Sequence, residues 1–239
     1  MPNFFLTEKI DKTTYLQIKS LFNICSDFDK TNYILPSFEE MYKYSLFIFA
    51  KENNHIVGVI WNSDEILNEV FGMVLPEFRR QGLFGQLLSQ LKEIVLDDLT
   101  FYGKPEYLLM TECAKAFGFT VIKTELLMKY QEISEPTEWE HEVFENDDTF
   151  SYYIDDNFIG SCSIFETDNT INIFEVFVEE TYRNKGYATK IINDVLWSIK
   201  NSQKEILLQV SQENIPAVRC YQKCGFIVTD AIVFFNEAK

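Results

Sequence analysis

Apolar and polar residues in the second half of the chain follow the period of strands in some segments and the period of helices in others. Alternating or buried runs predict five strands, over Phe150–Ile154, Phe158–Phe165, Ile171–Val178, Leu207–Val210 and Phe226–Phe235. A helix between the third and fourth strands carries one apolar face, made of Ile191, Ile192, Val195, Leu196 and Ile199. A last helix has Ala217, Val218 and Tyr221 on one face. Strands followed by alternating helices and strands are typical of an α/β (α+β) domain.

The first half shows a similar order of elements after two helical segments of its own. Strands are predicted around Ser45–Lys51, Ile56–Trp61, Glu69–Leu75, Tyr107–Thr111 and Phe119–Tyr130. The helix between the third and fourth of these has its apolar face on Phe84, Leu87, Leu88, Leu91, Ile94 and Val95. The earlier helical segments lie near Thr14–Ile24 and Phe38–Tyr44, and Ser37 with Glu40 forms a capping box before the second.

Three glycine contexts recur in the same order in the two halves. The partners lie 102, 104 and 107 residues apart, and they are Gly58 with Gly160, Gly82 with Gly186, and Gly118 with Gly225. A solenoid repeat has only ~20–50 residues, so this spacing predicts a tandem duplication instead. We expect two domains, 1–131 and 132–239, each a mixed, mostly antiparallel sheet flanked by helices. The acidic, aperiodic segment Glu132–Asp148 is the predicted junction.

Net charge and cysteine usage narrow the classes of partner and location. Lys and Arg number 21 against 37 Asp and Glu, a formal net charge of −16, which argues against a nucleic-acid partner and favours a small molecule or a cation. Five scattered cysteines indicate reduced thiols and a cytoplasmic location. Only His55 and His141 occur, so no metal site is predicted. No apolar run is long enough to span a membrane.

The most specific local pattern runs from Val178 to Ala188, where a predicted strand ends and a helix begins. Unpaired backbone N–H groups at a helix start bind anions such as a pyrophosphate. Gly186 lets the backbone approach an anion closely, and Arg183 and Lys185 add positive charge. An ordinary strand-to-helix turn with solvated basic residues explains the same loop equally well when it is considered alone.

The surroundings of this loop resemble the GNAT superfamily of N-acetyltransferases. The family's acyl-CoA loop reads Q/R-x-x-G-x-G/A, and Arg183, Gly186 and Ala188 match it. The preceding strand often reads Glu-x-x-Val, as in Glu175 to Val178. The later matches are, in order, the strand Leu208–Ser211, then Asn214, Ala217, Tyr221 and Gly225-Phe226. The resemblance covers about residues 149–235 and reaches the first half only through the duplication.

The resemblance implies a sheet that splays open around acetyl-CoA, the cosubstrate. The backbone of Phe177 and Val178 would bind its pantetheine arm, and Asn214 and Ala217 would contact it from the last helix. Its pyrophosphate would be held by the loop amides of Arg183, Asn184, Lys185, Gly186, Tyr187, Ala188 and Thr189. Tyr221 would protonate the departing thiolate as the general acid, since an unperturbed phenol pKa near ~10 suits a thiolate leaving group.

An amine nucleophile must also lose a proton, and Glu175 stands where the family often places its base. Some relatives use a Glu on the following strand, but that strand offers Gln209 here, and an amide cannot act as a base. Glu175 is therefore the predicted catalytic base, with a water-mediated route left open.

The first half departs from the family pattern at several positions. Phe84 replaces the small residue of the loop, and Phe71 stands at the place of Glu175 when residues are counted back from the loop arginine. The segment from Leu109 to Gly118 is about eight residues shorter than its counterpart, which predicts that the partners of Asn214 and Tyr221 are missing. The second half in turn lacks the helices with which the family covers the acceptor.

Three hypotheses follow from these patterns. The leading one is an acetyl-CoA-dependent N-acetyltransferase that acts by direct attack of a primary amine, belonging to a small molecule or a peptide, on the thioester. The second is a non-catalytic acyl-CoA-binding sensor or scaffold, which needs the loop but neither Tyr221 nor Glu175. The third is a purely structural duplicated domain. Assembly as a homodimer is left open.

Overall fold

The computed structural model describes residues 2–31, 35–41, 44, 46–63, 68–105, 107–131, 141–146 and 148–237. The chain forms two compact units. The first contains Met1–Ile122 together with the C-terminal residues Val233–Lys239, and the second contains Lys123–Ile232. No helix within the described ranges has both the length and the apolarity needed to cross a membrane.

The first unit is a five-stranded sheet completed by the end of the chain. Its elements are β1 (Asn3–Thr7), α1 (Lys12–Asp29), β2 (Leu46–Glu52), β3 (His55–Ser63), β4 (Glu69–Val74), α2 (Leu83–Ile94), β5 (Thr100–Gly103) and α3 (Leu108–Ala116). Strands β1 to β5 lie in chain order. All pair antiparallel except β4 and β5, which are parallel and meet at Glu69 and Thr100. Residues Val233–Asn236 add an antiparallel strand beside β5.

Helices cover both faces of this first sheet. On one face, Leu83, Leu87 and Leu91 of α2 pack with buried strand residues such as Ile60 and Val70. On the other face, a second apolar cluster joins α1 to the strands through Tyr15, Ile18, Leu21, Phe47, Phe49, Val59 and Trp61. Burial of apolar side chains on both faces stabilises the unit.

Within the described residues, the second unit is a seven-stranded sheet with its helices on one face, and β6 and β12 each extend beyond the unit at one end. Its elements are β6 (Phe119–Tyr130), β7 (Glu142–Asn146), β8 (Thr149–Ile154), β9 (Asn157–Glu166), β10 (Thr170–Val178), α4 (Tyr187–Ser198), β11 (Glu205–Ser211), α5 (Ile215–Lys223) and β12 (Phe226–Glu237). The strand order is β12-β6-β11-β10-β9-β8-β7. Strands β10 and β11 pair in parallel.

Both helices of the second unit pack into one apolar cluster. Ile191, Ile192 and Val195 of α4 and Tyr221 of α5 meet the strand residues Ile171, Ile173, Leu208 and Val210 there. Side chains alternate along a strand, so Asn172, Phe174, Leu207 and Gln209 project from the opposite face. Only residues 147 and 148 separate β7 from β8, so no helix like α1 is inserted at this point. We call the opposite face the helix-free face, a term that refers to the described residues of this unit.

The predicted elements are largely confirmed, with one strand assigned wrongly. All five strands and both helices of the second half form as predicted, as do α1, α2 and four of the five strands of the first half. The segment Tyr107–Thr111 was predicted as a strand, but it lies in the turn before α3 and in its first residues. A short apolar run fits a buried strand and a buried helix equally well. Strands β1, β5 and β7 were not predicted.

Helix α3 corrects the prediction that eight residues are missing from the first half. Tyr107 is the N-cap of α3 and lies eleven residues before Gly118, and Asn214 is the N-cap of α5 at the same distance before Gly225. The helix is therefore present in both units. The equivalents of Asn214 and Tyr221 are Tyr107 and Ala114, so the first unit has different residues at these positions rather than a deletion.

Two predicted segments fall partly outside the described residues. The capping box is confirmed, since the N–H of Ser37 donates to the Glu40 carboxylate (2.7 Å) and the N–H of Glu40 to Ser37 Oγ (3.3 Å). Residues 42 and 43 of the helix predicted after it are not described. In the predicted junction, residues 132–140 and 147 are not described, and β7 forms within the remainder.

Candidate active site

Strands β10 and β11 pair along only the first part of their length. Their parallel pairs run from Thr170–Glu205 to Ile173–Leu208. Beyond that pair, β10 continues to Val178 beside β9, and β11 continues to Ser211 beside β6. The parallel pairing thus ends at mid-strand, as a splayed sheet requires, and Phe177 and Val178 lie on the β10 side of the divergence.

A β-bulge at Glu175 lies where the two strands separate. The pairing of β10 with β9 shifts between Phe174 and Phe177, and Glu175 has a left-handed φ of 50°. The pairing of β3 with β4 in the first unit has no such shift, and Trp61 pairs with Phe71 there. In the second unit Ser163 is the equivalent of Trp61, and it pairs with Phe174. The equivalent of Phe71 is therefore Phe174, and Glu175 is an extra residue. A non-glycine residue held at positive φ in a bulge is a frequent feature of functional sites.

The loop after β10 presents a helix start with an open approach. A 3₁₀ turn, Glu180–Tyr182, leads to Arg183, whose Nε donates to the carbonyl of Val178 at 3.0 Å. Gly186 is the N-cap of α4 with a φ of 83°, and no heavy atom lies within 4 Å of the point where a Cβ would stand. The first bond of the helix is donated by the N–H of Lys190. The N–H groups of Ala188 and Thr189 precede it, which is the arrangement that binds a phosphate.

Asn214 and Ala217 lie at the start of α5, just after β11. The side-chain oxygen of Asn214 accepts a hydrogen bond from the N–H of Ala217 at 3.3 Å and so caps the helix. An N-cap asparagine typically stabilises a helix by about 1 kcal/mol. Its amide nitrogen takes no part in this bond and can serve a ligand. The residue thus has a structural role in addition to the cofactor contact predicted for it.

Tyr221 is the buried aromatic residue of α5. Its ring contacts Phe226 edge-on, with centroids 6.1 Å apart. Burial, together with Cys162, Cys220 and Cys224 nearby, raises the pKa of its phenol to about 12. The phenol therefore keeps its proton at neutral pH, which is the state that a general acid needs.

Known proteins resemble the part of the chain that builds this site. Residues 120–226 match the family described as the acetyltransferase (GNAT) family. This segment of the chain is therefore similar to that family. Streptothricin acetyltransferase of Escherichia coli is 30% identical over 92 residues, which cover 38% of this chain and 53% of that protein. The chain thus spans about half the length of this curated relative.

Solved structures of GNAT proteins resemble the whole chain. A GCN5-related N-acetyltransferase from Sphaerobacter thermophilus aligns with a TM-score of 0.74 at 16% identity, over 98% of this chain and 95% of its own. A tandem GNAT protein from the clavulanic acid biosynthesis pathway aligns with a TM-score of 0.68 at 13% identity, over 99% and 98%. At such identities the likeness shows the fold, and the chain has the mixed α/β GNAT fold.

In the first unit, aromatic rings pack around β4 and β5 close to where the pairing of these two strands ends. The ring of Phe84 packs directly over Gly72 of β4. A Cβ atom built on Gly72 would lie only 2.7 Å from Cε2 of this ring. The same ring packs against Phe101 of β5, with centroids 6.2 Å apart. On the opposite face, Phe71 contacts Tyr102 edge-on at 5.1 Å. In the second unit the equivalent of Phe84 is Ala188, which carries no ring.

Two cysteines on α5 face the start of α4. Thr189 Oγ1 lies 3.3 Å from the Sγ of Cys220, and Cys224 is fully buried. A hydrogen bond from the Cys224 thiol, helped by Thr189, lowers the pKa of Cys220, whereas the same contact and burial raise the pKa of Cys224.

All predicted site residues lie in the second unit, at the diverging strands or in the loop and helices that follow them. Sequence reasoning missed the hydrogen bond from the Gln209 side-chain amide to the Glu125 carboxylate. These residues are 84 positions apart, on strands that become neighbours only in the folded sheet. No spacing rule or local motif in the sequence links them.

Proposed function

We propose that the chain is an acetyl-CoA-dependent N-acetyltransferase built from two GNAT domains in tandem, of which the second carries the acetyl-CoA site. The observation that carries this proposal is the divergence of β10 and β11 after Ile173 and Leu208, which leads directly into the open helix start at Gly186. The first unit has an equivalent helix start at Gly82, but there Phe84 of the first helical turn packs against Phe101 of β5, whereas the second unit has Ala188 at the position of Phe84.

The residues present fit acetyl-CoA. The position beside Gly186 is open, with no heavy atom within 4 Å of where a Cβ would stand, and the amides from Arg183 to Thr189 would hold the pyrophosphate there. The backbone of Phe177 and Val178 would bind the pantetheine arm along the β10 side of the divergence, with Asn214 and Ala217 on the other side. When bound, acetyl-CoA supplies an activated thioester carbonyl.

The remaining chemistry belongs to two side chains. The nitrogen of a primary amine forms a bond to the thioester carbonyl carbon, and the carbon–sulfur bond breaks. Tyr221 donates its proton to the departing sulfur, which leaves as a thiol. Glu175 accepts a proton from the amine nitrogen, directly or through water. The phenolate is then reprotonated from solvent, so the net reaction yields an amide and CoA.

The acceptor is an amine of a small molecule or a peptide. A net charge of −16 favours a cationic one because opposite charges raise the rate of encounter. The relative from Escherichia coli is described as a streptothricin acetyltransferase, so streptothricin is the first compound to test. Five free cysteines, none in a disulfide, fit a reducing cytoplasm.

A screen of amines with detection of the released thiol tests this function. The panel contains streptothricin, polyamines, aminoglycosides and short peptides, each with saturating acetyl-CoA. We expect thiol release that depends on one of these amines and is strongly reduced in Tyr221→Phe. Tight binding of acetyl-CoA with no transfer to any amine, and no effect of Tyr221→Phe, would favour the non-catalytic acyl-CoA-binding sensor instead.

A further inference from the structure

Gln209 occupies the first position on β11 after the parallel pairing ends. The last pair of β10 with β11 joins Ile173 to Leu208, so Phe174 and Gln209 are the next residues of the two strands. Leu208 and Val210 point into the core with α4 and α5, so the intervening Gln209 projects from the helix-free face, where it is exposed. It stands at the edge of the opening, on the face opposite the helix that carries Tyr221.

The side chain of Gln209 is held by a carboxylate on the neighbouring strand. Its amide nitrogen donates to Oε2 of Glu125 on β6. The other carboxylate oxygen, Oε1, accepts a hydrogen bond from Lys123 Nζ at 2.6 Å. The Glu125 side chain is only 19% exposed, so both of its oxygens are engaged in a partly buried setting. Hydrogen bonds to ionised groups are stronger than neutral ones, which fixes the rotamer of Gln209.

This arrangement determines where the carbonyl oxygen of Gln209 points. The nitrogen and oxygen of a carboxamide diverge from one carbon, so turning the nitrogen towards Glu125 turns the oxygen away from β6. That oxygen is a fixed hydrogen-bond acceptor that cannot itself be protonated at neutral pH. An attacking amine carries N–H groups that need such an acceptor while its lone pair is aimed at a carbonyl carbon.

The first unit provides the contrast. Met128 lies ten residues after Gly118, and Phe235 lies ten residues after Gly225, so these two residues are equivalent. Their strand partners are therefore equivalent as well, and these partners are Leu208 in the second unit and Phe101 in the first. Tyr102 is therefore the equivalent of Gln209. In the first unit Tyr102 closes on Phe71, the equivalent of Phe174. A carboxamide at this position is thus specific to the second unit, whereas the first unit has a tyrosine whose ring packs against Phe71.

We infer that Gln209 is an acceptor-positioning residue, whose carbonyl oxygen accepts a hydrogen bond from the attacking primary amine, and that Glu125 acts through it by holding its amide. The inference rests on the proposed function. Gln209 takes no proton in the reaction: the proton lost by the amine goes to Glu175 or water. Gln209 and Glu125 set the affinity and orientation of the acceptor, and neither contributes to acetyl-CoA binding.

The test uses the full chain, saturating CoA and spermidine as the probe amine. Nitrogen-15 labelling of glutamine makes the side-chain amide signals visible, and the Gln209 pair is assigned by its loss in Gln209→Leu. We expect this pair to shift in Glu125→Gln and to shift on addition of spermidine to the unaltered chain. The matched control is Glu205→Gln, which removes a carboxylate bonded to Lys129 across the same two strands at their other end; it should leave the Gln209 pair in place.

A kinetic arm separates positioning from a structural role. With spermidine and acetyl-CoA, Gln209→Leu and Glu125→Gln should raise the KM for spermidine at least tenfold, and the Kd for acetyl-CoA should stay within twofold. The inference is overturned if acetyl-CoA binds normally but spermidine leaves the Gln209 signals unmoved, or if both variants keep the KM of the unaltered chain. Failure of acetyl-CoA to bind the unaltered chain would instead contradict the proposed function.

Discussion

The guanidinium of Arg79 is held by both carboxylate oxygens of Asp29, at 2.6 and 2.8 Å. Arg79 is the loop arginine of the first unit, and its Nε donates to the carbonyl of Val74 at 2.9 Å, as that of Arg183 does to Val178 at 3.0 Å. The arginine of the second unit lies instead over the ring of Phe177, 6.0 Å from its centroid. The charge of Arg79 is thus neutralised within the protein.

The bidentate pair should stabilise the first unit without affecting cofactor binding. Asp29→Ala leaves the partly buried Arg79 without these two hydrogen bonds, and we expect the free energy of unfolding to fall by about 1.5–3 kcal/mol. Affinity for acetyl-CoA should stay within twofold because the proposed site lies in the second unit. Denaturant unfolding and calorimetry measure the two quantities. Asp27→Ala, which removes an exposed carboxylate from the same helix, is the control and should change neither.

Removal of one phenol oxygen should separate catalysis from binding. Tyr221→Phe keeps the ring against Phe226 but deletes the proton donor, so we expect kcat to fall by roughly 10²–10⁴-fold with little change in the Kd for acetyl-CoA. The control is Tyr152→Phe, another buried tyrosine of the same core, whose hydroxyl donates to the carbonyl of Ile191. It should keep most of the rate. Equal losses in the two variants would assign the effect of Tyr221→Phe to packing.

The raised pKa of Tyr221 predicts the alkaline part of the pH profile. Its pKa of about 12 in the folded protein exceeds the ordinary ~10, so the general acid stays protonated between these values. The kcat at saturating acetyl-CoA and amine should therefore not decline between pH 9 and 10.5. The same shift should lower the free energy of unfolding as the pH rises above ~10, because the phenol loses its proton in the unfolded state before it does so in the folded protein. A decline in kcat centred near pH 10, without unfolding, would contradict the assignment.

Cys220 should be the most reactive thiol of the chain. The hydrogen bond from Cys224 lowers its pKa, and the thiolate is the nucleophilic form. Its alkylation by iodoacetamide should rise with pH around a midpoint below the usual ~8.5. The buried Cys162, whose pKa burial raises to about 12, should react far more slowly. Mass spectrometry of the labelled peptides measures both rates, and an ordinary midpoint for Cys220 would refute the shift.

The sequence was sufficient to predict the elements that carry strong periods. Helices α2 and α4, and the strands that precede them, follow from apolar spacing, and the helix start at Gly186 follows from its motif. Strand β5 and helix α3 were misread because a four-residue strand and a nine-residue helix carry too few residues for a period to be distinct. Strand β7, which lies in the predicted junction, was also missed because its five residues are too few to show a clear period.

The features that sequence could not predict depend on long-range pairing. Counting back from the loop arginine made Glu175 the equivalent of Phe71, whereas strand pairing shows that Glu175 is the extra residue of a bulge. The contact between Gln209 and Glu125 depends on β6 lying beside β11, which no local pattern encodes. The packing of Phe84 against Phe101 likewise appears only when the strands are in place.

The titration of acetyl-CoA into a matched pair of glycine variants tests most directly that the second unit alone holds the site. Gly186 and Gly82 are N-caps of equivalent helices, with φ of 83° and 76°, so valine strains both to a similar degree, about 1–2 kcal/mol. By calorimetry we expect one acetyl-CoA per chain, at least tenfold weaker binding in Gly186→Val, and binding within twofold of the unaltered chain in Gly82→Val. Two bound molecules per chain, or loss of binding in Gly82→Val alone, would contradict this account.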